Sequence, residues 1–283
     1  HVDSSAASDV YKRQLQYESV CSTEGPNLII AGAGTGKTKV LTTRVAHIID
    51  NNLAFPSQIL CVTFTNKAAR EMSERVQKLV SQNMEKMPWM GTFHSIGAKI
   101  IRNHAEVIGL KQSFTILDKD DQLSLIKQII KAENLDQSQF SPKLIQSKID
   151  HWKNKALNPN DIKSESLDNL VDEKSLSIYK IYQARLFEIN CLDFGDLLLQ
   201  CINLFKVTDI HKRYSNNFKY IHVDEYQDTN AAQYKWLKLL GSHHQNVCCV
   251  GDDDQSIYSW RGAEVDNMPV SYTHLRAHET AQY

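Results

Sequence analysis

The chain has 283 residues, of which 42% are hydrophobic and 23% charged, with a formal net charge of −1. That length can bury one large core or two smaller ones, and the near-neutral balance excludes a global positive field, so any nucleic-acid binding must rest on local patches. The apolar runs, such as NLII and VCCV, are too short for a membrane span, no stretch has the layout of a secretory leader, and the six cysteines lack metal-ligand spacing. A cytoplasmic protein with reduced thiols is therefore expected, with Cys61, Cys248 and Cys249 acting as small hydrophobes in strands.

The two ends stand apart from the rest. DSSAASDVYKRQ and PVSYTHLRAHET have no core periodicity and resemble translated sequencing-adapter read-through. Residues 1–14 and 268–283 are thus expected to be non-native tails and are set aside from the fold. From Asn27 to Ala31 an apolar strand runs into a glycine-rich turn, and a helix is predicted from Lys37 to about Asp50. QILCVTF reads as a second strand, followed by the helical NKAAREMSERVQKLV. A third unit begins near Met90, where GTFHSIGAKIIRNHA turns helical after His94. Between residues 110 and 190 the alternation stops. DKDDQLSLIKQIIKAENL, SPKLIQSKIDHWKNKAL and EKSLSIYKIYQARLFEIN read as helices, broken at Pro142, Pro159 and polar clusters. Strands return with KYIHVDEY and NVCCVGD. The expected fold class is α/β: a parallel sheet with helices on both faces, formed by residues 15–109 and 191–267 and interrupted by a helical insertion at 110–190.

AGAGTGKT, residues 31–38, follows a strand and opens a helix, which is the context a phosphate-binding loop requires. Ala31, Gly32, Ala33, Gly34, Thr35 and Gly36 would bring backbone N–H groups to phosphate oxygens. Lys37 would supply a point charge for the β- and γ-phosphates, and Thr38 a hydroxyl ligand for Mg²⁺. The usual first glycine of the pattern is replaced by Ala31. The other half of such a site is a strand ending in an acid, and YIHVDEYQD provides one. Asp224 would hold Mg²⁺, and Glu225 would orient and deprotonate the attacking water. ATP and Mg²⁺ are the expected cofactors.

AGAGTGKT, VTFTNKAAREM, GTFHSIG, DFGDLL, VDEYQDTN and VGDDDQSIYSWRGAE together resemble the ordered motifs of superfamily 1 DNA helicases of the UvrD/PcrA/Rep type. The resemblance implies a RecA-like P-loop NTPase sheet carrying an inserted all-helical subdomain. It further implies ATP-powered 3′-to-5′ movement on single-stranded DNA, with single strands and single-strand/duplex junctions as partners and roles in DNA repair or replication. Gln16 matches the family's adenine-reading Gln, Gln255 its γ-phosphate sensor, and Lys37 and Glu225 keep the catalytic roles given above. Lys39 stands where Arg is common, and Gly195 where Asp is common; neither receives a role.

Phe64, Thr65, Asn66, Thr92, Phe93, His94, Tyr258, Trp260 and Arg261 match DNA-facing positions. Single strands bind by stacking bases on aromatic faces, each worth about 1–3 kcal/mol, with polar groups holding phosphates. For Phe64 and Phe93 core packing is the competing reading. Lys143, Lys148, Lys153 and Lys155, with Trp152, form either a track for a DNA backbone or a solvated helix face. A second motor domain with arginine fingers is expected to follow Asn267, so the chain alone is expected to hydrolyse ATP poorly and unwind nothing. The alternatives are a DNA-stimulated ATPase without unwinding and a nucleotide-responsive DNA-binding module.

Overall fold

The computed structural model describes residues 14, 16–30, 36–80, 87–163, 167, 169–251 and 276–279. These fall into two compact units. The first comprises the described residues within His1–Ile96, Asp209–Thr229 and Leu237–Tyr283, and the second those within Gly97–Thr208 and Asn230–Trp236.

The first unit is built on β1 (Asn27–Ile30), β2 (Ile59–Thr63), β3 (Met90–Thr92), β6 (Tyr220–Val223), β7 (Val247–Gly251) and β8 (Arg276–Glu279). All pairs are parallel, in the order β3-β2-β6-β7-β1-β8. On one face Ile29, Ile59, Cys61, Tyr220, Cys248 and Val250 form a core with Val40, Leu41, Val45 and Ile48 of α1 (Lys37–Asp50) and Met72 and Val76 of α2 (Asn66–Leu79). On the other face Leu28, Leu60, Val62, Ile221, Val223 and Cys249 are equally buried. Burial on both faces is why these strands read as continuous apolar runs. All six cysteines are free thiols, and Cys61, Cys248 and Cys249 are buried, as their strand setting predicts. β8 was not anticipated. Its residues lie in the tail set aside above, yet they pair with β1 from Asn27↔Arg276 to Ile30↔Glu279. Edge pairing uses backbone groups alone, so no apolar alternation announces it.

The second unit contains β4 (Thr115–Leu117), α4 (Lys119–Ala132), α5 (Pro142–Asn154), α6 (Leu170–Glu188), β5 (Cys191–Asp193) and α7 (Phe194–Leu204). The helix α3 (Phe93–Asn103) begins in the first unit and ends in the second; α8 (Thr208–Asn217) belongs almost wholly to the first, and α9 (Ala231–Leu240) has its first six residues in the second. Two features differ from the expected all-helical insertion at 110–190. β4 and β5 form a short parallel ladder of their own, with Thr115↔Cys191 and Leu117↔Asp193. The unit also extends beyond 190, because α7 is buried along most of its length and supplies Asp196 to the unit's interior. Trp236 is drawn in as well, donating from Nε1 to the Cys201 Sγ at 3.1 Å.

At the centre of this unit lies Lys153, fully buried, its Nζ 2.7 Å from Asp193 Oδ2 and 2.9 Å from Asp196 Oδ2. Tyr182 donates its hydroxyl to Asp193 at 2.9 Å, Gln122 donates to Asp193 at 3.3 Å, and Gln183 donates to Asp196 at 3.0 Å. The two acids also form a reciprocal capping box at the start of α7. One ammonium thus joins α4, α5, α6 and α7. Neither reading of the lysine-rich helix describes this residue: Lys153 neither tracks DNA nor meets solvent. Lys148 pairs with Asp172, Trp152 stacks on Tyr179, and Lys143 and Lys155 are exposed. Gly195 also gains a reason. A Cβ there would lie 2.9 Å from both Cβ and Cδ of Lys153, so the absence of a side chain makes room for the buried lysine stem. Lys153→Met should destabilise the second unit by about 3–5 kcal/mol in denaturant unfolding, since it strands two buried carboxylates. Replacing Asp193 and Asp196 by apolar residues in the same protein should recover much of that loss.

Candidate nucleotide-binding site

The C-terminal ends of three neighbouring strands come level at one edge of the parallel sheet. Ile30 pairs with Gly251, and Val223 with Cys249, so β1, β7 and β6 end within about two residues of each other. In open α/β sheets that edge is where ligands bind. β7 lies between β1 and β6.

Gly36 precedes the first turn of α1 with φ +89°, a left-handed conformation suited to glycine. No acid occupies the first turn of α1, so its partial positive charge is uncompensated by its own residues. Lys37 and Thr38 are the first two residues of this helix and are partly exposed. Thr38 donates from Oγ1 to Asp224 Oδ2 at 3.4 Å, joining the helix start to the end of β6. Gln16 belongs to the same neighbourhood: a Cβ built on Gly36 would lie 3.8 Å from Gln16 Nε2.

Asp224 is 3% exposed. Its N–H continues the ladder to Val62 O at 3.0 Å, and its Oδ1 accepts from the Glu225 N–H at 3.1 Å. Burial, and then the neighbouring Glu225 carboxylate, push the Asp224 carboxyl up to about 6. The Glu225 N–H, the Lys37 charge and the Thr38 hydroxyl only partly oppose them. Glu225 itself has φ +53°, unusual for a residue with a Cβ, and such strain concentrates at functional sites. Its Oε2 accepts from Gln227 Nε2 at 2.6 Å. Gln227 was not among the residues singled out from the sequence, although it lies only two positions on.

His222, two residues before Asp224, is fully buried and neither ring nitrogen has a hydrogen-bond partner among the described residues. Burial, with the Arg44 charge nearby, holds its ring well below the ordinary histidine range and therefore neutral.

The residues matched to DNA-facing positions divide into two groups. Phe64, Thr65 and Asn66 follow β2, and Thr92, Phe93 and His94 end β3 and open α3, so both runs leave the same edge of the sheet, where Thr63 pairs with Thr92. Phe93 is buried and meets the half-buried Phe64 edge to face at 5.6 Å, which favours core packing for Phe93. Thr65 caps α2 by accepting from Ala68 N at 3.1 Å, and Thr92 accepts from Ser95 N at 3.2 Å. Both threonines therefore have local capping work. Asn66 is exposed, and burial lowers the His94 pKa, so its ring is neutral at pH 7. Ala31, Gly32, Ala33, Gly34, Thr35, Gln255, Tyr258, Trp260 and Arg261 lie outside the described residues.

Among the described residues no group of three or more His, Cys, Asp or Glu side chains could hold a metal by itself. Thr38 and Asp224 offer two oxygens, a donor set suited to Mg²⁺ when phosphate oxygens complete the shell.

A parallel sheet whose strand ends gather a helix N-terminus, a threonine hydroxyl and a buried carboxylate is the layout of a nucleotide-binding α/β domain. Residues 13–274 match the family described as UvrD/REP helicase N-terminal domain. The chain is 49% identical over 254 residues to an ATP-dependent DNA helicase PcrA of Staphylococcus aureus (strain Mu50), covering 89% of this chain and 34% of that protein. It is 51% identical over 257 residues to a DNA helicase II of Rickettsia typhi, covering 89% and 39% respectively. The chain belongs to the UvrD/REP helicase family, and its sheet is of the RecA-like kind. It spans between a third and two-fifths of the length of these relatives.

Because the Asp224 carboxyl is raised, the folded protein holds that proton more tightly than the unfolded chain does. The cost of ionising it is absent at low pH and appears as pH rises from about 4 to about 6. Asp224→Asn should therefore raise thermal stability at pH 7.5, by up to about 3 kcal/mol, with the gain shrinking toward pH 4.5. A gain equal at both pH values, or a loss at pH 7.5, would contradict this cause.

Proposed function

We propose that the chain is the nucleotide-binding motor portion of an ATP-dependent DNA helicase that moves 3′ to 5′ on single-stranded DNA. The observation that carries this reading is the hydrogen bond from Thr38 to Asp224, which brings the helix start and the strand-end acid to one point. The family and its ATP-dependent relatives support it. The direction of movement, the preference for single-strand/duplex junctions and a repair or replication role rest on the family resemblance alone, and a cytoplasmic location rests on the cysteine usage.

In this mechanism the triphosphate lies at the N-terminus of α1, where backbone N–H groups and the helix dipole favour anions. Lys37 balances charge on the β- and γ-phosphates, and Gln16 reads the adenine edge. Thr38 and Asp224 would hold Mg²⁺, whose charge, when bound, offsets that developing on the phosphoryl group. Glu225 takes the proton of the attacking water, and Gln227, bonded to one carboxylate oxygen, fixes its orientation. Gln255 would sense the γ-phosphate and pass its loss to Tyr258, Trp260 and Arg261, a platform for stacked bases, with Phe64, Asn66 and His94 beside the same strand. Thr65 and Thr92 contribute by capping the helices that place them. Spanning about a third of the PcrA relative, this stretch alone should hydrolyse ATP slowly and separate no strands.

Lys37→Ala tests the phosphate site: affinity for Mg²⁺-ATP should fall at least about tenfold, the loss of one charge-assisted phosphate contact, with an unchanged circular dichroism spectrum. Full retention of affinity would put the nucleotide elsewhere. Trp260→Ala should weaken binding to single strands of every base composition, by roughly 5- to 100-fold for one lost stack. A loss confined to particular sequences would exclude a stacking role.

A further inference from the structure

The segment that carries Gln16 is fastened to α1 and, farther along, to the starts of β6 and β7. Residues 16–21 are helical, and the carbonyls near the end of this turn point at Arg44 of α1. Arg44 donates from Nη1 to Ser19 O at 2.5 Å and from Nη2 to Thr23 O at 3.1 Å. It is 1% exposed, makes no ion pair among the described residues, and its Nε has no hydrogen-bond partner there. A buried guanidinium held by carbonyls alone is a costly way to stabilise a fold. Farther along the segment, Gly25 N donates to Asn246 Oδ1 at 2.7 Å, and Asn246 Nδ2 donates to Glu24 Oε2 at 3.1 Å. Tyr220 also donates its hydroxyl to Glu24, so this end is tied to the starts of β6 and β7. The other end of the segment leads back to Gln16, beside Gly36 at the start of α1.

Arg44 lies two helical turns beyond Lys37 on that same helix. The element that would hold the phosphates is therefore also the element that grips the segment carrying Gln16. Arginine suits the task because two donors on one rigid fork reach two carbonyls, which a single ammonium cannot do with fixed geometry.

We infer that Arg44 is a positioning residue for base selection: it locks the Gln16 segment to α1, so that base and triphosphate are read in fixed register. This rests on the nucleotide reading above and adds a cause for its selectivity. Discrimination by a base-reading side chain depends on its being held where the wrong base leaves it unpaired.

The test is calorimetric titration of the whole chain with ATP, GTP and inorganic tripolyphosphate, each with Mg²⁺. The proteins are the unchanged chain, Gln16→Ala, Arg44→Met, Arg44→Lys and the double variant Gln16→Ala with Arg44→Met. The unchanged chain should prefer ATP to GTP by about tenfold or more. Arg44→Met should bring that ratio close to one, as Gln16→Ala does, while tripolyphosphate affinity changes by less than about twofold, because the phosphate site is left intact. Arg44→Lys should be intermediate, and the double variant no less selective than either single one. A preserved ATP-to-GTP ratio in Arg44→Met would overturn the inference. So would an equal loss for all three ligands in both Arg44 variants, which would make Arg44 a support of the fold only. An unchanged chain that bound tripolyphosphate but did not distinguish ATP from GTP would refute base reading by Gln16, and this inference with it, while leaving the phosphate site standing.

Discussion

The hydrogen bond from Thr38 to Asp224 joins residues 186 apart in sequence, and much of the first unit is arranged so that it can form. It requires β1 and β6 to end level although β7 lies between them, which the parallel register of all three strands secures. It requires α1 to begin at Lys37, directly after the left-handed Gly36. It also places a carboxylate in a nearly dry position beside a second acid, where its ionisation is resisted. Such an arrangement is poor for stability, and the proposed Mg²⁺ would offset it, since a bound metal reverses the local electrostatic balance.

The second unit solves a different problem with similar chemistry. Lys153, Asp193 and Asp196 are three charges removed from water and satisfied by one another and by Tyr182, Gln122 and Gln183. Burial and the Asp193 charge push the Asp196 carboxyl up to about 6, so the cluster has one more acid than it can easily neutralise. Breaking such a cluster is far more damaging than building an apolar core in its place. The cluster brings α4, α5, α6 and α7 together through Gln122, Lys153, Tyr182 and Asp196, although the Gln183 Oε1 stays buried without a hydrogen-bond partner among the described residues.

The strands and α1 are legible in the sequence because burial on both sheet faces leaves continuous apolar runs, and Gly-Lys-Thr marks where a helix opens. α1 ends at Asp50, where the pattern predicts, and the two strand-end acids lie where YIHVDEYQD suggests. Lys153 is misleading for a physical reason. A lysine in a helix of mixed charge reads as surface, and only partners 40 and 43 residues away make it a core residue. Thr65 and Thr92 resemble ligand contacts in a motif, while their hydroxyls satisfy helix N–H groups that any sequence reading could have sought three residues downstream. β4, β5 and β8 are three or four residues long and lie outside the strand-to-helix alternation that marks β1, β2 and β3. Arg44 passes unnoticed in KVLTTRVAHII because its partners are backbone carbonyls, which leave no trace in residue type.

The most direct test of the central claim is a crystal structure of the chain with Mg²⁺ and a non-hydrolysable ATP analogue. The β-phosphate should sit at the N-terminus of α1 within reach of Lys37, with the cation between Thr38 and Asp224 in place of their hydrogen bond. A nucleotide bound away from α1, or a cation that leaves the Thr38–Asp224 contact untouched, would contradict it.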